Sequence, residues 1–140
     1  MKLLFLCRGN VGRSQIAEFL CKKKFEDKYE VSSAGVRLSG PEQTLEELLP
    51  HTVEVIQVMK EEGIDVSQAR RKSVTENMVD AADKVVAIIE DEEILPEYIS
   101  NSPKFIRWSM LDPKGKDRDF TRDVKNKIGE LLDELDRNIG

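Results

Sequence analysis

Short apolar runs alternate along this chain with stretches in which apolar residues recur every three or four positions. The run Leu3-Leu4-Phe5-Leu6 predicts a buried strand. A polar, glycine-containing segment follows, and then Ile16, Ala17, Leu20 and Lys24 fall on one helical face, with Phe19 beside them. Tyr29-Glu30-Val31-Ser32-Ser33 reads as a second strand ending at Ala34-Gly35. Residues 36–50 are less regular: Gly40-Pro41 marks a turn, Thr44 heads a short helix over 45–49, and Pro50 interrupts it. The stripe Val55, Val58, Met59 and Glu62 predicts a helix over 51–62, closed by Gly63 at the C-cap position. Thr75 begins a capped helix over 75–82. Lys84-Val85-Val86-Ala87-Ile88-Ile89 is almost continuously apolar, as expected of a central parallel strand. Residues 90–100 are acidic and read as partly helical, broken at Pro96, and residues 103–108 read as the last strand. Finally Phe120, Val124, Ile128, Leu131, Leu135 and Ile139, three or four apart, predict a long amphipathic helix over 119–139.

Strands that alternate with helices predict an α/β fold, a parallel sheet with helices on both faces. A chain of 140 residues suits one domain, 1–140. Composition adds a heavily charged surface, with 39% apolar and 35% charged residues, and a net charge of −5. That sign argues against nucleic acid or an acidic membrane as the main partner. The first apolar run is shorter than the ~7–15 residues of a secretory signal core, so the cytoplasm is the expected compartment, where a reactive thiol stays reduced. Cys7, Cys21 and a single histidine, His51, make no metal-ligand pattern, and no metal or other cofactor is expected. Cys21 reads as a packing residue of the first helix, with a redox partner for Cys7 as the alternative that its helical position argues against, and His51 as a surface or capping residue.

The chemistry concentrates in Cys7-Arg8-Gly9-Asn10-Val11-Gly12-Arg13-Ser14. A strand entering a glycine-containing turn and then a helix aims backbone N–H groups at one point, where the helix dipole also favours an anion. Gly9 and Gly12 let the backbone curl close to such an anion, and Asn10 tolerates a left-handed conformation. Cys7 stands at the mouth of this loop, where the amides and Arg13 favour a thiolate, the nucleophilic form. The planar fork of Arg13 suits two oxygens of a tetrahedral oxyanion, and Ser14 is placed to donate to the Cys7 sulfur. A nucleotide-binding P-loop would need Gly at Cys7 and Lys at Arg13, so that reading fails.

Cys7 to Ser14 resembles the active-site signature of the low-molecular-weight protein-tyrosine-phosphatase family, which includes thiol-dependent arsenate reductases, and further matches extend over nearly the whole chain. The resemblance implies a four-stranded sheet in the order 2-1-3-4. It also implies Cys7 as nucleophile and Arg13 as anion clamp, with Arg8, Gly9, Asn10, Val11, Gly12 and Ser14 around the phosphate. Ser33, in a family-like Ser-Ala-Gly, either supports this loop or is an ordinary strand-end hydroxyl. Asp112-Pro113 follows the last strand where the family carries its general acid, and Asp117 reads as a cap of the last helix or a second acid. The implied substrate is a phosphorylated protein or a small phosphomonoester, phosphotyrosine included.

Departures from the family pattern accompany the matches. Ala69 stands where a His is common, and Lys72 where Arg is usual. Arg70-Arg71-Lys72 reads as a solvated basic run, with an anion-steering rim as the alternative. Lys114-Gly115-Lys116 replaces the aromatic residues that wall a tyrosyl slot in related proteins. Thioredoxin-coupled reductases of the family need two more cysteines near residues 86–92, and none is present. Arsenate reduction with an external thiol therefore stands as one alternative to hydrolysis, and a non-catalytic oxyanion-binding module as another.

Overall fold

Along the first strand, Leu3 and Phe5 face one side while Leu4 and Leu6 face the other, and this alternation generates two cores. In the computed structural model, which describes residues 1–140, the strands are β1 (Lys2–Cys7), β2 (Glu30–Gly35), β3 (Lys84–Ile89) and β4 (Phe105–Ser109). They form one parallel sheet in the order β2-β1-β3-β4. The helices are α1 (Arg13–Phe25), α2 (Val53–Glu61), α3 (Glu76–Ala81), α4 (Glu97–Ser100) and α5 (Arg118–Ile139). On one face, α1, α2 and α5 cover Leu3, Phe5, Val86, Ile88 and Trp108, where the Phe5 and Trp108 rings meet at 6.0 Å. On the other, Val79 of α3 and Ile99 of α4 cover Leu4, Leu6, Val85, Ala87 and Ile89.

Both β1 and β3 are buried on both faces, which is why each reads as an unbroken apolar run. Helix starts follow capping chemistry: Thr75 accepts from the Met78 N–H, and Asp117 accepts from the Phe120 N–H. α5 is further tied to α2 by Arg118 on Glu54 at 3.0 Å, Arg122 on Glu61 at 2.7 Å and Lys125 on Glu62 at 2.6 Å.

Some expectations shift. The stretch 45–49 is a single 3-10 turn, Glu46–Leu48, and only Glu97–Ser100 of the acidic segment is helical. Along α5, Leu132 rather than Leu131 reaches the deep core. On α1, Lys24 is exposed and pairs with Asp133 at 3.2 Å, while the first two turns are buried almost all round, Gln15 and Glu18 included. An amphipathic helix would bury one stripe. α1 buries more because its first turns also lie beneath the loop that precedes them.

Candidate active site

β1 delivers Cys7 to the C-terminal edge of the sheet, and α1 starts six residues later at Arg13. Between them Asn10 takes a left-handed conformation, φ 53°. The result is a cradle of amides: no backbone N–H from Arg8 to Gln15 finds an acceptor within the chain, and the first helical bond runs from Ile16 N–H to the Gly12 carbonyl. Nor does any side chain cap the start of α1. β2 braces the loop from the side, with Val36 N–H donating to the Cys7 carbonyl and Arg37 N–H to that of Arg8. This close approach requires Gly35, where a Cβ would lie 3.0 Å from the Arg8 oxygen and 3.1 Å from the Asn10 nitrogen.

Beneath the cradle runs a buried chain of polar groups. The Lys72 backbone N–H donates to Asn10 Oδ1 at 3.0 Å, and because that amide can only donate, it orients the Asn10 side chain. Asn10 Nδ2 then donates to Ser14 Oγ at 2.8 Å and to Ser33 Oγ at 3.0 Å. Ser33 in turn donates to Glu18 Oε1 at 2.6 Å, and Lys22 pairs with the same carboxylate. Ser14 Oγ also lies 2.9 Å from Cys7 Sγ, a hydrogen bond in which the hydroxyl is the donor whenever the sulfur carries no proton.

Arg13 is 2% exposed. Nη1 donates to the Met110 carbonyl at 3.1 Å, Nη2 lies 3.5 Å from Asp112 Oδ2, and Nε has no acceptor. Asp112 Oδ1 accepts from the Lys114 N–H at 2.9 Å, an Asx turn that aims the other oxygen at Arg13. Pro113 seats this loop on Gly12, where a Cβ would come within 3.2 Å of the proline ring. A buried guanidinium with an unpaired Nε beside unpaired amides fits a tetrahedral oxyanion.

These groups surround a cleft of ≈ 610 Å³. Of the residues the sequence singles out, Cys7, Arg8, Gly9, Val11, Gly12, Arg13 and Asp112 line it. Asn10, Ser14 and Ser33 do not: their side chains lie behind the loop as its support, so any contact of Asn10 or Ser14 with a ligand is through backbone N–H. Asp117 is the cap of α5. The basic run divides. Arg70 is exposed, but Arg71 is buried at 6% exposure, donates to the Pro41 and Ser39 carbonyls, and lines the cleft. Sequence reasoning also missed Gln15, whose Nε2 donates to the Asn10 carbonyl at 3.2 Å, and Glu18. Polar residues in the first turns of a helix that begins at a functional loop are the signal for both.

Cys21 stands apart, 1% exposed among apolar residues of α1 and α5. Burial pushes its thiol up to about 12, and the nearby Asp136 carboxylate adds to the effect. It therefore stays protonated and unreactive near neutral pH. Brief iodoacetamide treatment of the folded protein at about pH 7 is expected to label Cys7 alone, with Cys21 labelled only after denaturation. Rapid labelling of native Cys21 on peptide mapping would contradict its assignment to packing.

The comparisons agree with this architecture. The family model for low molecular weight phosphotyrosine protein phosphatase matches residues 2–140. Arsenate reductase 1 of Staphylococcus epidermidis is 32% identical over 135 residues, covering 94% of this chain and 92% of that protein. The low molecular weight protein tyrosine phosphatase from T. tengcongensis superposes with a TM-score of 0.80 at 27% identity, over 99% of both chains. An arsenate reductase in its phosphate-binding state gives 0.81 at 28% identity, over 99% of this chain and 98% of that one. A match from residue 2 to the last residue, on a sheet ordered 2-1-3-4 and a Cys-x5-Arg-Ser loop, places the chain in the low-molecular-weight phosphotyrosine protein phosphatase family, whose members include phosphatases and arsenate reductases.

Proposed function

We propose that this protein hydrolyses phosphomonoesters through a cysteinyl-phosphate intermediate. The observation that carries the reading is that Cys7 and Asp112 line one cleft and Arg13 links them, contacting Asp112 from the loop that Cys7 begins. Binding an oxyanion needs the amides and the guanidinium alone. A thiol with a donor on its sulfur and a carboxyl group at the mouth are needed only for chemistry.

The phosphate dianion occupies the amide cradle with Arg13 on two of its oxygens. Cys7 Sγ attacks phosphorus, forming the S–P bond as the P–O bond to the alcohol breaks, and protonated Asp112 supplies the proton to the departing oxygen. Water then attacks phosphorus and passes a proton to the Asp112 carboxylate. The S–P bond breaks, and the Ser14 hydroxyl receives the thiolate. Each atom returns to its starting state, and no cofactor takes part.

A second reading is favoured by the arsenate reductases among the relatives. Arsenate is isosteric with phosphate and fits the same cradle. Cys7 would bond to arsenic as one arsenate oxygen, protonated by Asp112, leaves as water; one external thiol would then attack the Cys7 sulfur as arsenite leaves with the electron pair, and a second would release Cys7 from the mixed disulfide. Both electrons come from those thiols, since Cys21 is buried in the core.

The experiment is a side-by-side assay of purified protein on aryl phosphates, and on arsenate with small thiols or with thioredoxin and its reductase. Cys7-dependent release of phosphate, with arsenite formation at background, is the expected outcome. Arsenite formation without phosphatase turnover would replace the first reading by the second.

A further inference from the structure

We infer that the cleft holds a second anion subsite, built by Arg37 and Arg71, and that the substrate is a compact phosphomonoester carrying a second phosphate or carboxylate. This rests on the hydrolysis reading for the first phosphate. It begins from an imbalance of charge. The chain carries −5 overall, yet Arg8, Arg13, Arg37, Arg71, Lys114 and Lys116 all line one cleft. Only two carboxylates, Glu54 and Asp112, face them there, and each is already engaged, by Arg118 at 3.0 Å and by Arg13 at 3.5 Å. A single phosphate dianion in the amide cradle satisfies Arg13, and Arg8 lies 4.0 Å from Glu93, whereas Arg37, Arg71, Lys114 and Lys116 pair with no carboxylate.

One of those cations, Arg71, is held by the scaffold, and a second, the exposed Arg37, stands beside the loop. Arg37 directly follows the β2 segment that braces the loop, its own N–H bonded to the Arg8 carbonyl at 2.8 Å. Its side chain makes no hydrogen bond or ion pair. Arg71 is 94% buried, and its guanidinium is clamped by Nε on the Pro41 carbonyl and Nη2 on the Ser39 carbonyl, both at 2.9 Å. Those acceptors are neutral, so the charge is not compensated, and Nη1 has no acceptor. Nη1 is the edge that opens to the cleft, and a guanidinium held rigid in this way is a selective partner for a planar or tetrahedral oxyanion.

The depth of Arg71 separates a compact ligand from an acidic peptide. Flanking carboxylates of a phosphopeptide would meet the exposed cations Arg8, Arg37, Lys114 and Lys116 but not the buried Arg71. A group that meets Arg71 must enter the cleft together with the scissile phosphate. The cleft wall also lacks a Phe, Tyr or Trp ring, so nothing in it favours a tyrosyl group over an aliphatic spacer.

The test separates binding from turnover. In Cys7→Ser, calorimetry compares 3-hydroxypropyl phosphate with propane-1,3-diyl bisphosphate and with the analogue whose second group is a carboxylate. Either bis-anion is expected to bind about tenfold more tightly than the monoester at low salt, the phosphate or the carboxylate prevailing according to the natural second group. Arg37→Ala and Arg71→Gln, the latter able to keep the contact that Nε makes with the Pro41 carbonyl, should each cut that ratio severalfold. In the wild-type background the same ratio should appear in kcat/KM, carried mainly by KM. Equal binding of monoester and bis-anion overturns the subsite, whatever the turnover. A tight bis-anion that is never hydrolysed keeps the subsite and removes the hydrolysis reading. A phosphopeptide with acidic flanks that gains more than either compact bis-anion, and loses the gain in Lys114→Ala/Lys116→Ala but not in Arg71→Gln, overturns the compact-ligand assignment.

Discussion

Cys7→Ser is expected to lower turnover on the order of 10⁴-fold or more while inorganic phosphate still binds within a few-fold of wild type. The two halves of this result come from different atoms. Binding is the work of the unpaired amides from Arg8 to Gln15 and of Arg13, none of which the substitution touches. Turnover needs a sulfur nucleophile, and a serine hydroxyl in the same place is a far poorer one, even with Ser14 2.9 Å from the sulfur position. The measurements are steady-state release of phosphate and calorimetric titration with inorganic phosphate. Near-normal hydrolysis by the serine variant would eliminate covalent catalysis through Cys7. Loss of phosphate binding with the fold intact would mean that the cradle depends on the thiolate, which the geometry does not suggest.

What could be read from the chain beforehand follows from how local each signal is. β1 and β3 are legible because central parallel strands are apolar on both faces, and α5 because a long helix on the edge of a core repeats its pattern six times. The caps Thr75 and Asp117 are equally local, a side-chain oxygen three residues before the N–H it receives. The strand order 2-1-3-4 is another matter: it depends on which crossover passes which face, and only the family resemblance carried it. Short elements were placed but not bounded, because one turn at 46–48 or 97–100 has too few residues to show a period.

The site divides the same way. Cys7, Arg13 and the glycines occupy eight consecutive residues, and their chemistry is written in that spacing. The support beneath them is assembled from three separate segments: Asn10, Ser14 and Glu18 from the loop and α1, Ser33 from β2, and the Lys72 amide. Nothing in the run Arg70-Arg71-Lys72 distinguishes its middle residue, yet Arg71 is the one turned inward, because the Gly40-Pro41 turn folds its carbonyls over that position. The absence of the common family His at Ala69 is met by other groups. Gln15 and the Lys72 N–H hold the Asn10 oxygen, while Lys22 balances the charge of Glu18. The left-handed Asn10 is therefore kept in place without an imidazole.

Asp112→Asn is expected to slow hydrolysis of alkyl and unactivated aryl phosphates by about 10²–10⁴-fold, and of activated nitrophenyl esters far less. A good leaving group departs as the anion, whereas an alkoxide must be protonated as the P–O bond breaks, and the carboxamide has no proton of the needed acidity to give. Plotted against leaving-group pKa, log kcat/KM should therefore fall more steeply in the variant than in wild type. A second consequence separates an acid from a residue that merely holds the loop. In the free protein the carboxylate sits 3.5 Å from Arg13 Nη2 and competes with the incoming anion for that guanidinium. Asn can keep the turn by accepting from the Lys114 N–H while removing the competing charge, so inorganic phosphate should inhibit the variant somewhat more strongly than wild type. A uniform loss across the leaving-group series, with phosphate inhibition weakened, would show that Asp112 is needed for the shape of the loop and that the proton comes from elsewhere.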